Sequence, residues 1–294
     1  MSRIGGTIVA GGLLALLGAF LGAVADPSAA SSPQSAQSRT AFRFDGPMIQ
    51  GGTVLGTAPA LTSRVTLDGR DVPVAPDGRF LIAFDRDAAA SAELVATRVD
   101  GSTLRQTLAI QRRAWRIERL NTLPRFAQPS AEFQRRRPAE LAQINAARAK
   151  SHNVQGWRQD FMWPVTGRIS GLFGSQRIYK GEPGAYHSGV DVARPTGTPI
   201  IAPADGVVTL AAQQPFMLEG KLLMLDHGMG LNSAFLHLSR IDVKIGDVVR
   251  RGQTIGAIGT TGRSTGPHLH WGMKWGQARI DPLLIAGSMP VTAD

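Results

Sequence analysis

The 294-residue sequence predicts a mainly β protein built from two small domains. Three observations carry this. The chain holds 34 glycines and 18 prolines, which favour short strands joined by turns over long helices. In the first half, Asp45-Gly46, Asp68-Gly69, Asp77-Gly78 and Asp100-Gly101 separate apolar runs of period two. In the second half, short apolar runs bounded by Gly and Pro leave little room for helices. The expected architecture is a small N-terminal β-sandwich-like domain, a basic and partly helical linker, and a C-terminal antiparallel β domain whose loops wall a groove.

Taken in order, Arg3 precedes an uncharged run from Ile4 to Val24, and Ala23-Val24-Ala25 closes it as a small-x-small cleavage signal. Residues 1–25 read as a secretory signal peptide. The run is also long enough for an uncleaved membrane anchor, the one route by which this chain would meet a membrane. Either way the expectation is an exported protein of the periplasm or cell envelope. Residues 26–40 are small and polar and read as a flexible tether.

Residues 41–110 form the first β domain. Val65 and Leu67, then Val72 and Val74, then Phe80, Ile82 and Phe84 alternate with polar positions between the Asp-Gly turns. Turn chemistry accounts for these aspartates without a calcium site. Residues 111–156 are the basic, partly helical linker. Within it, Arg112 to Arg119 is read as finishing the β domain with Trp115 and Ile117 inward, and Pro138 as the first turn of a helix through Arg148. His152 is expected to be exposed. Residues 157–286 form the second β domain, and 287–294 a tail.

The composition, 43% hydrophobic and 18% charged, is that of a globular protein. The absence of cysteine excludes disulfides, thiolate metal sites and a cysteine-anchored lipid. The net charge of +10 is concentrated in residues 100–156, where eleven basic groups face four acidic ones. A solvated linker or contact with an anionic wall polymer fits this excess. No nucleic-acid motif accompanies it, so nucleic acid is not expected as a partner.

The chemistry is concentrated in Gly266-Pro-His268-Leu-His270-Trp-Gly272, where two of the chain's six histidines stand two residues apart. On an extended strand both imidazoles face one side. Upstream, His187 and Asp191 share a face of Tyr186-His-Ser-Gly-Val-Asp-Val192, about 13 Å apart on a straight strand and closer if the chain bends at Gly189. Imidazole nitrogen with carboxylate oxygen is a donor set for a borderline cation such as zinc, and catalytic zinc keeps three protein ligands. His187, Asp191 and one of His268 or His270 supply three. The remaining member of the pair and His237 are then free for proton transfer or oxyanion stabilisation.

The stretches His187-Ser-Gly-Val-Asp191, Thr198-Pro-Ile-Ile-Ala-Pro-Ala-Asp-Gly-Val-Val208, Phe235-Leu-His237-Leu-Ser239 and Gly262-Arg-Ser-Thr-Gly-Pro-His-Leu-His-Trp271 resemble those of the lysostaphin-type, or LytM-type, zinc metalloendopeptidases that cut peptidoglycan. The resemblance spans roughly residues 157–285. It implies a LytM-type antiparallel β domain with an active-site groove, in which His187, Asp191 and His270 hold one zinc ion and His237 with His268 are catalytic. It also implies a peptidoglycan peptide cross-link as substrate, D-Ala to diaminopimelate first and a pentaglycine bridge as the alternative, while Arg177, on the loop before His187 where similar proteins often have an arginine, either binds substrate or belongs to a solvated loop. Phe235 stands where many such proteins have tyrosine. The alternative reading is a non-enzymatic LytM-type scaffold that activates a cell-wall amidase, and residues 41–156 are the expected contact for an envelope regulatory partner. Scaffolds of that kind lack one or more of these five residues, and here all five positions are filled.

Overall fold

The computed structural model describes residues 40–121 and 130–290. The expected export segment, nearly all of the tether, part of the linker and the last four residues of the tail lie outside them. Among the described residues, no helix is long and apolar enough to cross a membrane.

The first domain contains β1 (Arg43–Asp45), β2 (Thr53–Thr57), β3 (Thr62–Leu67), β4 (Arg70–Val72), β5 (Arg79–Ala83), β6 (Ser91–Arg98) and β7 (Thr103–Ala109). They form two antiparallel sheets, ordered β1-β2-β5 and β4-β3-β6-β7. Phe42, Val54, Phe80, Ile82, Leu94 and Leu108 belong to one buried cluster that the two sheets share. Asp68 and Gly69 join β3 to β4 with φ of 47° and 76°. Two successive positive φ angles match the right-handed twist of a tight hairpin, which explains the Asp-Gly pair there.

Next come β8 (Ile117–Leu120) and α1 (Ala131–Ala149). Rather than extending the first domain, β8 pairs in parallel with β10 (Gln176–Tyr179) of the second. The partners lie far along the chain: Trp115 packs edge-on against Phe173 at 5.8 Å, and Glu118 bridges Arg177 at 2.8 Å. The helix also begins earlier than expected. Ser130 caps it by accepting the Phe133 N–H at 3.1 Å, and Pro138 falls inside it. The hydrogen bond lost at Pro138 is offset by contacts of the flanking arginines: Arg136 with Glu132 and the Pro215 carbonyl, and Arg137 with Glu219.

The second domain begins with β9 (Arg168–Gly171), followed after β10 by β11 (Glu182–Pro183), β12 (Gly189–Ala193) and β13 (Pro199–Ile201). Three long strands follow: β14 (Gly206–Phe216), β15 (Gly220–Asp226) and β16 (Leu231–Leu238). Then come β17 (Arg240–Ile241), β18 (Val248–Val249), β19 (Thr254–Ala257), β20 (His268–Trp275), β21 (Ala278–Ile280) and the short α2 (Pro282–Ala286). The main sheet runs β18-β14-β15-β16-β20-β12-β9, with β21 also on β20, while β13-β19-β17 form a second sheet. Alternation divides each strand between two faces. Val190, Val192, Leu223, Leu225, Leu269 and Trp271 enter the main core with Ile200 and Ile255 of the second sheet. On the opposite face, Leu210, Ala212, Leu222 and Met224 meet Ile144 and Ala147 of α1. The linker helix therefore covers part of the face that also presents Asp191 and His270.

The two domains share buried surface as well as ion pairs. Leu81 and Ala83 of β5 belong to the second domain's core cluster. Arg158 grips Asp77 with two bonds of 2.8 and 2.9 Å, and Arg113 meets Asp281 at 2.8 Å.

His227, at the β15–β16 turn, is fully buried. Its Nδ1–H donates to the Asp205 carbonyl at 2.8 Å, and its Nε2 accepts from the Ser233 hydroxyl at 2.8 Å. The neighbouring Asp226 carboxylate accepts from the His152 backbone N–H and ring, so His152 is tied down rather than freely exposed. Burial dominates over the nearby Asp205 and Asp226 and pushes the His227 imidazole down to about 4. A depressed folded-state pKa means that the unfolded chain binds the extra proton first. Stability from this group is thus complete above its unfolded pKa of about 6.5 and declines as pH falls toward 4, by about 3 kcal/mol in all. Urea unfolding of metal-free wild type and His227→Gln across pH 7 to 4 should show this extra decline in wild type only.

Candidate metal centre and its groove

The site is assembled from four segments. Asp191 and His270 lie on adjacent antiparallel strands, directly opposite one another in the β12–β20 register. His187 lies just before β12 begins, and its ring reaches Asp191 instead of standing four strand residues away. His187 Nε2 lies 3.0 Å from Asp191 Oδ1 and 3.0 Å from His270 Nδ1, and His270 Nδ1 lies 2.8 Å from the same carboxylate oxygen. The three residues are the group of donors whose ligand atoms all lie within 4.8 Å of one another.

Close packing makes this possible. A Cβ on Gly189 would stand 2.7 Å from His270 Nε2 and 2.4 Å from the Trp271 carbonyl, and one on Gly171 would meet the second oxygen of Asp191. Only hydrogen fits at either position. His187 Nδ1 donates to the Leu172 carbonyl at 3.1 Å, which leaves Nε2 with its lone pair turned into the cluster. Electron-pair donors so close together repel unless a cation or proton lies among them. The donor set, two imidazole nitrogens and one carboxylate oxygen, fits a divalent metal.

The carboxylate and the imidazoles also set one another's charge. Burial opposes the charge of Asp191, but hydrogen bonds from His187 and His270 outweigh it and hold the carboxyl well below its usual range. Burial likewise opposes protonation of His187, yet the Asp191 carboxylate wins and raises it. At His270 burial wins and the imidazole is lowered.

The other two histidines stand beside this cluster. His268, at the start of β20, is 3.8 Å from Asp191 Oδ1 through Nε2, and its Nδ1 donates to the Gly266 carbonyl at 2.8 Å. His237 is buried, its ring centre 4.9 Å from that of His268 and 6.3 Å from that of His270. Its Nδ1 donates to the Thr261 carbonyl at 2.9 Å. Both Nε2 atoms are therefore acceptors in the neutral rings. Burial, the largest influence, pushes His237 down to about 4, so it is neutral at ordinary pH.

A backbone irregularity aims His237. Pairing of β15 with β16 slips between Lys221 and Leu223, where Leu236 and His237 of β16 oppose Leu222 alone, and His237 has φ of 62°. A β-bulge re-aims a side chain, and a positive φ on a residue with a Cβ is strain held by its surroundings. Here the His237 N–H donates to the Glu219 carbonyl at 2.9 Å, while the Glu219 carboxylate receives two bonds from Arg137 of α1, at 2.6 and 2.8 Å. Phe235, two residues earlier, points into the core and is fully buried.

The groove has two chambers flanking the cluster. The larger, about 910 Å³, is lined by His187, Asp191, Tyr186, Arg177 and Glu118. Arg177 thus stands on its wall, but with its guanidinium paired to Glu118 of the linker strand. The smaller, about 220 Å³, lies on the other side against α1 and is lined by His270, Gly272, Arg148, Lys274 and Arg279. Sequence reasoning brought together all five histidine and aspartate positions. It missed Leu172, Thr261 and Gly266, whose backbone carbonyls set the tautomers and carry no side-chain signal, and it missed the basic residues of the smaller chamber.

Residues 185–282 match the family model described as peptidase family M23. Among curated proteins, the chain is 44% identical over 105 residues to peptidoglycan DD-endopeptidase ShyA of Vibrio cholerae, a match covering 35% of this chain and 24% of that protein. It is 38% identical over 123 residues to DD-carboxypeptidase/endopeptidase Mpg of Neisseria meningitidis, covering 42% of this chain and 28% of that protein. The matched region thus spans roughly a quarter of the length of these curated relatives. A solved peptidase M23 structure from Pseudomonas aeruginosa superposes with a TM-score of 0.63 at 29% identity, covering 82% of this chain and 96% of that one. Sequence match and fold agree, and the C-terminal domain of this chain belongs to peptidase family M23.

Proposed function

We propose that this chain is a zinc-dependent endopeptidase that hydrolyses peptide cross-links of bacterial peptidoglycan, D-Ala to diaminopimelate being the bond, in the periplasm or cell envelope. The carrying observation is the His187–Asp191–His270 donor cluster with two acceptor imidazoles beside it. The names of ShyA and Mpg support the substrate class.

His187, Asp191 and His270 would hold the ion. When bound, zinc supplies Lewis acidity that polarises a carbonyl and makes water more acidic. His237, neutral and fixed by Thr261, holds Nε2 ready to take a proton from the attacking water. His268, fixed by Gly266, presents Nε2 on the same side; in the protonated ring that N–H donates to the developing oxyanion and returns a proton to the leaving amine. Trp271 and the surrounding core seal the floor from beneath. Arg177 and Glu118 border the larger chamber, where an extended peptide enters. The scaffold reading has no use for two tautomer-fixed acceptors beside a donor cluster.

Two outcomes test this reading. Replacing His237 by Ala should lower cleavage of cross-linked muropeptide dimers by about 100-fold or more while metal analysis still finds one zinc per chain. Retention of full cleavage would refute the role. By contrast, Gly189→Ala should push His270 out of the cluster, so that bound zinc and cleavage are lost together while circular dichroism remains that of a β protein.

A further inference from the structure

The smaller chamber gathers three cations that have no salt-bridge partner among the described residues. Arg148 comes from the last turn of α1, Lys274 from β20 and Arg279 from β21. All three line the same chamber as His270 and Gly272. On the same helix, Arg136 meets Glu132 and Glu140, and Arg137 meets Glu219. Lys274 and Arg279 also oppose each other directly in the β20–β21 register. Like charges in that position destabilise a sheet. The Arg279 guanidinium reaches the Tyr186 hydroxyl at 3.2 Å and Lys274 reaches the Gln277 amide oxygen at 2.9 Å, neither of which neutralises charge. Partial desolvation lowers both Arg148 and Lys274, helped by repulsion from Arg279 on each and from Arg148 on Lys274, and this outweighs the opposing pull of Glu219 on Arg148 and of Asp85 on Lys274.

The chamber lies in line with the metal cluster. His268, His270, Gly272 and Lys274 share one face of β20. Lys274 is thus roughly 13 Å along the strand from His270. Gly272, between them, leaves the floor open. A peptide lying along β20 with its scissile bond at His270 would bring a side group two to four residues away over the cations.

We infer that Arg148, Lys274 and Arg279 form a carboxylate-binding subsite, which anchors an acidic stem peptide in the groove and sets its register on the metal cluster. The identity of the peptide rests on the peptidase reading above; the affinity for a carboxylate does not. Charge-assisted hydrogen bonds from guanidinium and ammonium groups suit this ligand, and its charge relieves the Lys274–Arg279 repulsion. The linker helix contributes Arg148, so the subsite exists only when the helix is seated on the sheet.

Titration calorimetry on the full zinc-loaded chain tests this with two probes, an uncross-linked tetrapeptide bearing free carboxylates and the same peptide with its carboxylates amidated. The free peptide should bind about tenfold more tightly than the amidated one. Lys274→Gln and Arg148→Gln should each remove most of that difference without weakening the amidated peptide. Equal binding of the two peptides by wild type, no binding of either, or equal losses on both in the variants would overturn the subsite. Hydrolysis of cross-linked dimers, measured in parallel, separates the two readings. Hydrolysis without carboxylate dependence removes the subsite and leaves the peptidase, whereas carboxylate-dependent binding without hydrolysis does the reverse.

Discussion

The second domain is arranged around one crowded oxygen. Asp191 Oδ1 has His270 Nδ1 at 2.8 Å, His187 Nε2 at 3.0 Å and His268 Nε2 at 3.8 Å. Packing polar donors this tightly on the face of a sheet costs desolvation and repulsion. The fold meets that cost with the hydrogen-only positions Gly171 and Gly189, the Leu172 carbonyl behind His187, and a rigid core beneath. Trp271 alternates with His270 along β20, fully buried on the opposite side. Its burial contributes on the order of 2 to 3 kcal/mol and fixes the plane from which His270 projects.

The second layer of the site is made of backbone rather than side chains. The Thr261 and Gly266 carbonyls determine which nitrogen of His237 and His268 carries hydrogen, and a bulge with positive φ points His237 inward. That strained turn is held by Glu219, whose carbonyl accepts the His237 N–H while its carboxylate is clamped by Arg137. The linker helix is thus connected to His237 through a single residue. Its far end, at Arg148, lines the smaller chamber. One element of the linker thus reaches both the His237 side and the cationic side of the groove.

Both chambers of the groove are lined by charge. In the larger chamber Arg177 is balanced by Glu118, and the strand that supplies Glu118 pairs with β10 to extend the wall. In the smaller chamber Glu219 is paired with Arg137, while Arg148, Lys274 and Arg279 have no salt bridge among the described residues. The first domain contributes Asp77, Leu81 and Ala83 to the junction, and that contact fixes where the linker leaves.

Much of this was legible in the residues themselves. Period-two apolar runs and Asp-Gly turns identify strands because pleating and positive φ are local requirements. His187, Asp191, His237, His268 and His270 stand out because few other side chains do their chemistry. The linker was misread in two places for one reason: β8 and the first turns of α1 are stabilised by partners far along the chain, Arg177 and Phe173 for the strand, Pro215 and Glu219 for the helix. Sequence by itself determined which residue types were available and which stretches would be extended. Tertiary structure alone decided the tautomers, the inward turn of His237 and the gathering of Arg148, Lys274 and Arg279, because each depends on backbone or charge brought close from a distant segment and no local pattern encodes it.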